Sequence, residues 1–401
     1  MFYGWKLAVL GFFANVMIQG GGIYILNALI EPLSELHGWS RGDMGTSLAV
    51  ASCLGMLSIS VFSSLALRVP LRILMAAGSI MGAFGFWIMG QTSSLNLFTA
   101  GLTAIWVGGQ ACGGAVANAL MSNWFVRHRG KAFGLVNMGT SMSGAILPMV
   151  ALLLLHEYGV PATTFVLALV TLILLPASLL LVRETPESMG LYPDGLPSQS
   201  INIEQGAPRT IIPWKTLARM PECYRLGLIF GFGLMIVAGV VGQLKPRFSD
   251  LGFSEYVAMS LMALTALCAA LGKYIWGWIT DKVPPIKATR LLILSTIVGL
   301  FFAFLPPHPV SVLLFAIYTG SCVGGFWTVF PAVTAAVFGR AAFVSAYRFL
   351  SLFVVMKSLG YYVMGVSYDL SGGYNAGFTF FIVCLVVAFL LTIGLKNKEH
   401  V

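Results

Sequence analysis

The sequence Gly277-Trp-Ile-Thr-Asp-Lys-Val-Pro284 follows a long apolar stretch and places an acid and a base, Asp281 and Lys282, in a tight connection. A related sequence, Ser63-Ser-Leu-Ala-Leu-Arg-Val-Pro70, follows another apolar stretch 214 residues earlier, with Leu67 at the position of the acid. An internal repeat of this kind indicates two halves built from the same structural units. When such halves span a membrane, the repeat is typical of transporters.

The composition places these halves in a membrane. Hydrophobic residues make up 58% of the 401 residues and charged residues only 9%, whereas an ordinary soluble domain has roughly 25% charged residues. A soluble protein of this length needs more polar surface than that to cover its core. The 45 glycines fit the same interpretation, because small residues let membrane helices approach closely. The composition therefore predicts an all-α membrane protein.

Twelve membrane-spanning helices are predicted from apolar windows of about 20 residues. The first six lie near 5–30, 43–67, 72–92, 97–122, 132–155 and 161–182, and the second six near 224–245, 256–279, 288–306, 309–335, 343–367 and 375–395. The one long polar stretch between them is rich in Pro, Ser, Gly and charge, which is typical of a linker. We therefore expect an N-terminal six-helix bundle over 1–182, a cytoplasmic linker over 183–222 and a C-terminal six-helix bundle over 223–401.

Basic residues are distributed unequally between the two sides of the predicted topology. If both termini are cytoplasmic, sixteen basic residues fall in cytoplasmic connections and three, Arg41, Lys245 and Arg247, on the opposite side. The sixteen are Arg68, Arg72, Arg127, Arg129, Lys131, Arg183, Arg209, Lys215, Arg219, Arg225, Lys282, Lys287, Arg290, Arg340, Lys396 and Lys398. This excess follows the positive-inside rule. It predicts a multi-pass protein with both termini cytoplasmic, and it explains the net charge of +9 without a nucleic-acid partner. The compact chain and its short loops predict the cell inner (plasma) membrane.

The loop that carries Asp281 resembles the cytoplasmic gating motif of the major facilitator superfamily. In that family the acid and the base of the motif contact a neighbouring helix end and hold one conformation shut. The resemblance implies the major facilitator fold, with two pseudo-symmetric six-helix bundles. It also implies gating roles for Gly277, Asp281 and Lys282, and for Arg68 in the first-half copy, where Leu67 stands in place of the acid.

Further segments are similar to the monocarboxylate porter and oxalate–formate antiporter branch of that superfamily. They are Gly4-Trp5-Lys6, Gly38-Trp39-Ser40-Arg41, Asn123-Trp124-Phe125, Arg129-Gly130-Lys131-Ala132, residues 185–195 (Thr-Pro-Glu-Ser through Pro-Asp-Gly) and Asp250-Leu-Gly252-Phe-Ser254. The resemblance implies a transporter of small organic anions, mono- or dicarboxylates, that works as a monomer in contact with membrane lipid. No enzyme constellation appears in the sequence, and the six cysteines show no ligand spacing, so we expect no cofactor and no metal.

Four basic residues remain inside predicted helices: Lys6, Lys273, Arg348 and Lys357. Lys6 and Arg348 lie near helix starts, from which long side chains reach the membrane surface. Lys357 falls near the middle of the eleventh helix. Lys273 lies eight residues before Asp281, about 12 Å along the helix. A charge at the helix centre costs about 2.5–3.5 kcal/mol, so such a residue is a functional hypothesis by default. In the resembling branch, cations on these two helices bind the substrate carboxylate.

The acids of the chain offer these lysines no partner in the middle of a predicted helix. The fourteen are Glu31, Glu35, Asp43, Glu157, Glu184, Glu187, Asp194, Glu204, Glu222, Asp250, Glu255, Asp281, Asp369 and Glu399. The lysines must therefore be deprotonated, hydrated or neutralised by a bound anion. Proton symporters of the resembling branch carry an acid one turn before the cation on helix eight, where this chain has Ala269. Exchange, uniport and a relay through a lysine all remain open.

Other polar and aromatic residues in the apolar helices are candidates to line a substrate cavity, with helix packing as the alternative for each. The candidates are Gln19, Asn118, Tyr318, Trp327 and Tyr361, together with Asn15, Asn27, Gln110, Asn137 and Gln243. Two alternative functions stay open: efflux of amphipathic compounds, and a transporter-like membrane sensor without flux.

Overall fold

The computed structural model describes residues 2–39, 41–195 and 211–395. Within these residues the regular secondary structure is helical and contains no β-strand. The middle of the predicted linker, at 196–210, and the last six residues lie outside the described residues. The side chains of Asn27 and Arg41 also lie outside the described part of the chain.

Among its described residues, the first half contains eight α-helices and one π-helical turn. They are α1 (Tyr3–Ala14), the π-helix Asn15–Gly20, α2 (Gly21–His37), α3 (Arg41–Leu65), α4 (Leu71–Gln91), α5 (Leu95–Cys112), α6 (Gly114–Trp124), α7 (Arg129–Leu172) and α8 (Leu174–Leu181). Two 3₁₀ turns, Pro186–Met189 and Pro193–Gly195, and the short α9 (Trp214–Leu217) lie in the region predicted as linker.

The second half, as far as residue 395, contains seven α-helices and two 3₁₀ segments. They are α10 (Pro221–Gly242), α11 (Leu244–Asp250), α12 (Glu255–Lys282), α13 (Pro285–Phe301), the 3₁₀ turn Phe302–Phe304, α14 (Pro309–Leu350), the 3₁₀ segment Ser351–Met356, α15 (Lys357–Ser371) and α16 (Asn375–Ile393).

These helices form twelve passes across a membrane. Eight helical stretches of the described chain are long and apolar enough to cross. Two of them, Arg129–Leu181 and Pro309–Tyr368, are 53 and 60 residues long, more than twice the roughly 20 residues of one crossing. Each of these turns back on itself and supplies two passes. The broken helix pairs α1–α2 and α5–α6 supply passes one and four, so the predicted fold class is confirmed.

Each double-length stretch turns at a glycine. Gly159 has φ 73° and ψ −179°, and Gly339 has φ 78° and ψ 170°. This backbone region is essentially restricted to glycine, because any side chain is strained there. No atom lies within 4 Å of the position that a Cβ would occupy at either residue. The backbone angle therefore requires glycine at these two corners.

Because successive passes alternate in direction, one face of the molecule collects the connections after α3, α6 and α12 and the corner at Gly339. This face carries the described members of the sixteen basic residues and is called the basic face here; the corner at Gly159 lies on the opposite face. Large apolar side chains are exposed around the outside of the helices, among them Leu153 (67%) and Leu180 (70%). Such a surface suits the apolar interior of a bilayer.

The two halves meet mainly along two helix pairs. Helix α7 of the first half packs against α12 of the second, and α3 packs against α14 and the 3₁₀ segment Ser351–Met356. On the second pair the Ser60 hydroxyl donates a hydrogen bond to the Arg348 carbonyl oxygen at 2.9 Å. These two contacts bring together the residues of the candidate site and gate.

Candidate substrate site and gate

Lys273 reaches from the second half of the protein into the first. Its side chain projects from α12 and is only 5% exposed. The ammonium donates a hydrogen bond to the main-chain oxygen of Asn137 at 3.0 Å and another to the hydroxyl of Thr140. Both acceptors belong to α7. Lys273 is therefore bonded across the boundary between the halves.

Lys357 is the first residue of α15 and has different surroundings. Its ammonium lies 5.7 Å from the centre of the Trp327 ring on α14, which is within the range of a cation–π contact. The charges of Lys357 and Lys273 are close enough to repel each other. Among the described residues, no hydrogen-bond acceptor and no carboxylate is paired with the Lys357 ammonium. Of Lys273 and Lys357, Lys357 is thus the one with free hydrogen-bonding capacity among the described residues.

Asn118 belongs to a second polar link between the halves. Its side-chain oxygen accepts a hydrogen bond at 3.1 Å from Asn137, whose amide also donates to Phe133. The Asn118 side chain also faces the hydroxyl of Tyr347 on α14. Tyr347 stacks on Phe343 with 5.2 Å between ring centres. Asn118 and Lys273 are therefore joined through Asn137.

Two further predicted site residues, Tyr361 and Gln19, lie on α15 and in the π-helix. Tyr361 lies one helical turn after Lys357 on α15 and packs on Gly242. Gln19 lies in the π-helix, where its side-chain oxygen is buried against Gly109 without a hydrogen-bond partner among the described residues. π-Helical turns occur frequently at functional sites.

Tyr318 is not brought to the lysines. Its ring packs against Phe302 with 5.8 Å between centres and lies beside Gly299, so it faces pass nine. Trp327 follows nine residues later on the same helix, which at 100° per residue places the two side chains on opposite faces. Tyr318 therefore packs between helices, and its predicted place in the substrate cavity is not supported by its contacts.

Asp281 joins the two halves on the basic face. Its carboxylate accepts hydrogen bonds from the main-chain amides of Gly130 at 2.6 Å and Lys131 at 3.0 Å. These amides belong to the first turn of α7, where unpaired N–H groups and the helix dipole favour a negative charge. Gly277 lies one turn earlier on α12, and a Cβ there would collide with the Gly130 carbonyl oxygen. The predicted gating residues Asp281 and Gly277 thus lie where α7 and α12 come closest.

The remaining gating candidates, Arg68 and Lys282, are exposed at helix ends on the basic face. Arg68 lies close enough to Arg348 for their charges to repel. Besides Asp281, a second carboxylate that crosses between the halves on this side belongs to Glu187, which pairs with Arg340. In the sequence, Glu187 was recognised only as one of the fourteen acids and as part of a resembling segment. Its position in the long polar stretch gave no signal of its partner.

The first part of the predicted linker packs on the first half. The Asp194 carboxylate accepts hydrogen bonds from the main-chain amides of Val126 at 2.8 Å, Arg127 at 2.6 Å and His128 at 3.1 Å. Trp124 donates from its indole nitrogen to the Arg183 carbonyl oxygen at 2.9 Å. Two of the segments that resemble the carboxylate-transporter branch, 123–132 and 185–195, are therefore in direct contact.

The last part of the predicted linker packs on the second half. The guanidinium of Arg348 donates to the Ile212 carbonyl oxygen and lies 4.9 Å from the centre of the Trp214 ring. The Ile212 amide donates to the Ser345 hydroxyl at 3.2 Å. Arg348, which was expected to reach the membrane surface, is instead covered by this segment and only 7% exposed.

Neither Lys273 nor Lys357 is paired with a carboxylate among the described residues. The side chains of Glu31, Glu35, Glu255 and Asp369 and the residues Glu204 and Glu399 lie outside the described part. Two like charges in apolar surroundings favour a negatively charged or strongly hydrogen-bonding occupant. Thr140 was not among the residues predicted from the sequence. A signal existed in its spacing, since Thr140 follows Asn137 by three residues in an apolar run.

The fold and the family can now be compared with known proteins. Residues 12–361 match the family described as the Major Facilitator Superfamily, so this chain belongs to that superfamily of membrane transporters. The structure is similar to that of the E. coli transporter FucP in the outward conformation, with a TM-score of 0.72, 15% identity and 98% of both chains covered. It is also similar to the human organic anion transporter MFSD10, with a TM-score of 0.70, 16% identity and coverage of 96% of this chain and 98% of that one. At these identities the likeness shows the fold alone.

Sequence relatives include two mammalian proteins. Monocarboxylate transporter 11 of Homo sapiens is 26% identical over 284 residues, which are 70% of this chain and 57% of the human protein. Monocarboxylate transporter 12 of Mus musculus is 23% identical over 360 residues, which are 82% of this chain and 72% of the mouse protein. The match thus spans little more than half the length of the human relative. The chain is a transporter by family and not an enzyme.

Proposed function

We propose that this transporter carries small organic anions, mono- or dicarboxylates, by alternating access. The observation that carries the proposal is the ammonium of Lys357, which lies over Trp327 without an acceptor among the described residues and close to a second cation, the buried Lys273. A carboxylate bound there would offset the repulsion between the two cations. The names of the sequence relatives, monocarboxylate transporters, support the same substrate class.

A cationic substrate is disfavoured by the same surroundings. Bringing a third positive charge beside Lys273 and Lys357 adds repulsion in a region of low dielectric, where a charge at mid-membrane already costs about 2.5–3.5 kcal/mol. Asn118 supplies a polar group near Lys273, and Tyr361 supplies an aromatic one near Lys357. We assign Lys357 and Lys273 to the carboxylate and Trp327 to one wall of the site.

In this mechanism the N-terminal bundle over 1–182 and the C-terminal bundle over 223–401 rock about the lysines, and residues 183–222 connect them on the cytoplasmic side. The basic face is then the cytoplasmic face of an inner (plasma) membrane, and the contacts of Asp281 and Gly277 with α7 close the pathway to it. The protein works as a monomer, as the resemblance to the branch implies, and both cations of the site come from one chain.

The test is thermal stabilisation of the purified protein by a panel of carboxylates, including acetate, lactate, oxalate and malonate. A ligand at about 100 times its Kd stabilises the folded state by about 2.7 kcal/mol, which raises the unfolding midpoint measurably. We expect one or more carboxylates to stabilise the native protein and Lys357→Ala to lose that response. Lys287→Ala, which removes an exposed lysine on α13, is the matched control and should retain it.

The outcomes separate the alternatives. A carboxylate response retained in Lys357→Ala contradicts the assignment of this residue. Stabilisation by amphipathic compounds alone, unaffected by Lys357→Ala, favours efflux of such compounds. Saturable carboxylate binding without flux into proteoliposomes favours a sensor.

A further inference from the structure

The contact between α7 and α12 is a series of three steps from the basic face inward. At the face, Asp281 accepts hydrogen bonds from the first amides of α7. Further in, Gly134 lies so close to the α12 backbone that a Cβ would come within 2.7 Å of the Lys273 carbonyl oxygen. The innermost step is the side chain of Lys273 bonded to Asn137 and Thr140. The pathway cannot open to the basic face while these steps hold.

The hydroxyl of Thr140 is oriented as an acceptor for the lysine. It donates its own proton to the main-chain oxygen of Asn137 at 2.8 Å. The lone pairs of the hydroxyl oxygen are then free to accept a hydrogen bond from the Lys273 ammonium. The main-chain oxygen of Asn137 accepts from both the Thr140 hydroxyl and the Lys273 ammonium. The local geometry of α7 therefore presets an acceptor on the first half for a cation on the second.

Only the innermost step involves a group, the Lys273 ammonium, that can donate its hydrogen bonds to a bound anion instead. Lys273 is close enough to Lys357 for the two charges to repel, so an anion drawn to Lys357 also attracts Lys273. A carboxylate oxygen is a stronger acceptor for an ammonium than a neutral hydroxyl, because hydrogen bonds between charged groups are roughly twice as strong. The anion and Thr140 therefore compete for the same ammonium.

We infer that Thr140 makes transport an obligatory exchange, because its hydroxyl holds the Lys273 ammonium on the first half until a bound anion replaces that hydroxyl as the acceptor. This inference rests on the proposed function. In the empty protein, parting α7 from α12 removes the acceptors of a buried ammonium, which is unfavourable. In the loaded protein, the carboxylate satisfies the same ammonium while the helices part. The loaded carrier thus changes its orientation and the empty one does not.

The experiment measures efflux from proteoliposomes loaded with radiolabelled oxalate or lactate, with and without the same unlabelled anion outside. The native protein should release label fast only when the external anion is present. Thr140→Val keeps the size and shape of the side chain but has no acceptor, so its efflux without external anion should rise roughly tenfold, which is the scale of one hydrogen bond to a charged group. In this variant the rates of efflux with and without external anion should then approach each other. Thr140→Ser keeps the hydroxyl and should behave as the native protein.

A matched control is Thr289→Val, which removes a buried hydroxyl bonded within α13 to Pro285; it should retain the native ratio of the two rates. Thr140→Ala serves if the valine variant does not fold. Retention of the native ratio in Thr140→Val or Thr140→Ala overturns the inference. Equal rates with and without external anion in the native protein also overturn it, while leaving the proposed function intact. If the native protein neither binds nor releases either carboxylate, the proposed function itself fails.

Discussion

The carboxylate of Glu187 and the guanidinium of Arg340 form a two-pronged pair, with 2.8 Å between Oε1 and Nη1 and 3.1 Å between Oε2 and Nη2. The pair joins the segment after pass six to the start of pass eleven. The first half has Leu67 at the position of the gating motif where the second half has Asp281. Among the described residues, two carboxylates therefore link the halves on the basic face: Asp281 at the end of α12 and Glu187 in the linker.

The Glu187 pair predicts a dependence of stability on acid. Partial burial disfavours the charged form of Glu187, but the hydrogen bonds and the charge of Arg340 outweigh it, so that the pKa of this carboxyl lies below its ordinary value. Such a pair stabilises the folded state above the unfolded-state pKa, about 4.3. That contribution is lost as the pH falls through the folded-state pKa.

We therefore expect Glu187→Gln to be less stable than the native protein near pH 7, by less than about 1 kcal/mol because the pair is partly exposed. The difference should shrink as the pH is lowered below about 4.3, measured as the unfolding midpoint against pH. Glu157→Gln, at a carboxylate whose side chain is 69% exposed, is the control and should show no comparable difference. A difference in unfolding midpoint between Glu187→Gln and the native protein that stays constant down to the lowest pH would contradict the assigned role of the pair.

Gly277→Ala is predicted to weaken closure of the basic face. The new methyl group would meet the carbonyl oxygen of Gly130 and lie 3.1 Å from a methyl carbon of Thr328. Overpacking of this kind costs about 1–3 kcal/mol, so both the unfolding midpoint and the rate of anion exchange should fall. Gly365→Ala is the control, since no atom lies within 4 Å of its Cβ position on α15. Equal behaviour of the two variants would refute the close approach of α7 and α12 as a requirement.

Asp281→Ala is predicted to destabilise the start of α7. Two main-chain amides, of Gly130 and Lys131, would lose a charged acceptor. Loss of a side-chain cap costs about 0.5–2 kcal/mol. Asp281→Asn retains one acceptor oxygen and should lose less. The unfolding midpoints of the two variants give the comparison, and an alanine variant as stable as the native protein would show that α7 does not depend on this carboxylate.

The passes could be predicted because apolar length is a local property of the sequence. The corners could not be predicted in the same way. The apolar windows ended near 155 and 335 and left short loops, whereas the helices continue to Gly159 and Gly339 and turn there on a single residue. Nothing in the composition of these runs distinguishes a turning glycine from the many that allow helix packing. The π-helix Asn15–Gly20 likewise has no signature in an apolar stretch.

The candidate site could be predicted only from its charges. Lys273 and Lys357 were chosen because a lysine in an apolar helix is unfavourable. Thr140 was not predicted, because it lies 133 residues from Lys273 along the chain and threonine is common in membrane helices. The contacts of Tyr318 could not be predicted for a related reason. In a helix that is apolar all round, periodicity does not say which face meets a cavity, although its nine-residue spacing from Trp327 excluded a common face for the two.

The hydrogen bond from Lys273 to Thr140 also shows that the two halves contribute different residues to the candidate site. Lys273 and Lys357 belong to the second half, and Thr140, an acceptor of Lys273, belongs to the first. Neither half could therefore form this link with a copy of itself, although the loop of the gating motif occurs in both.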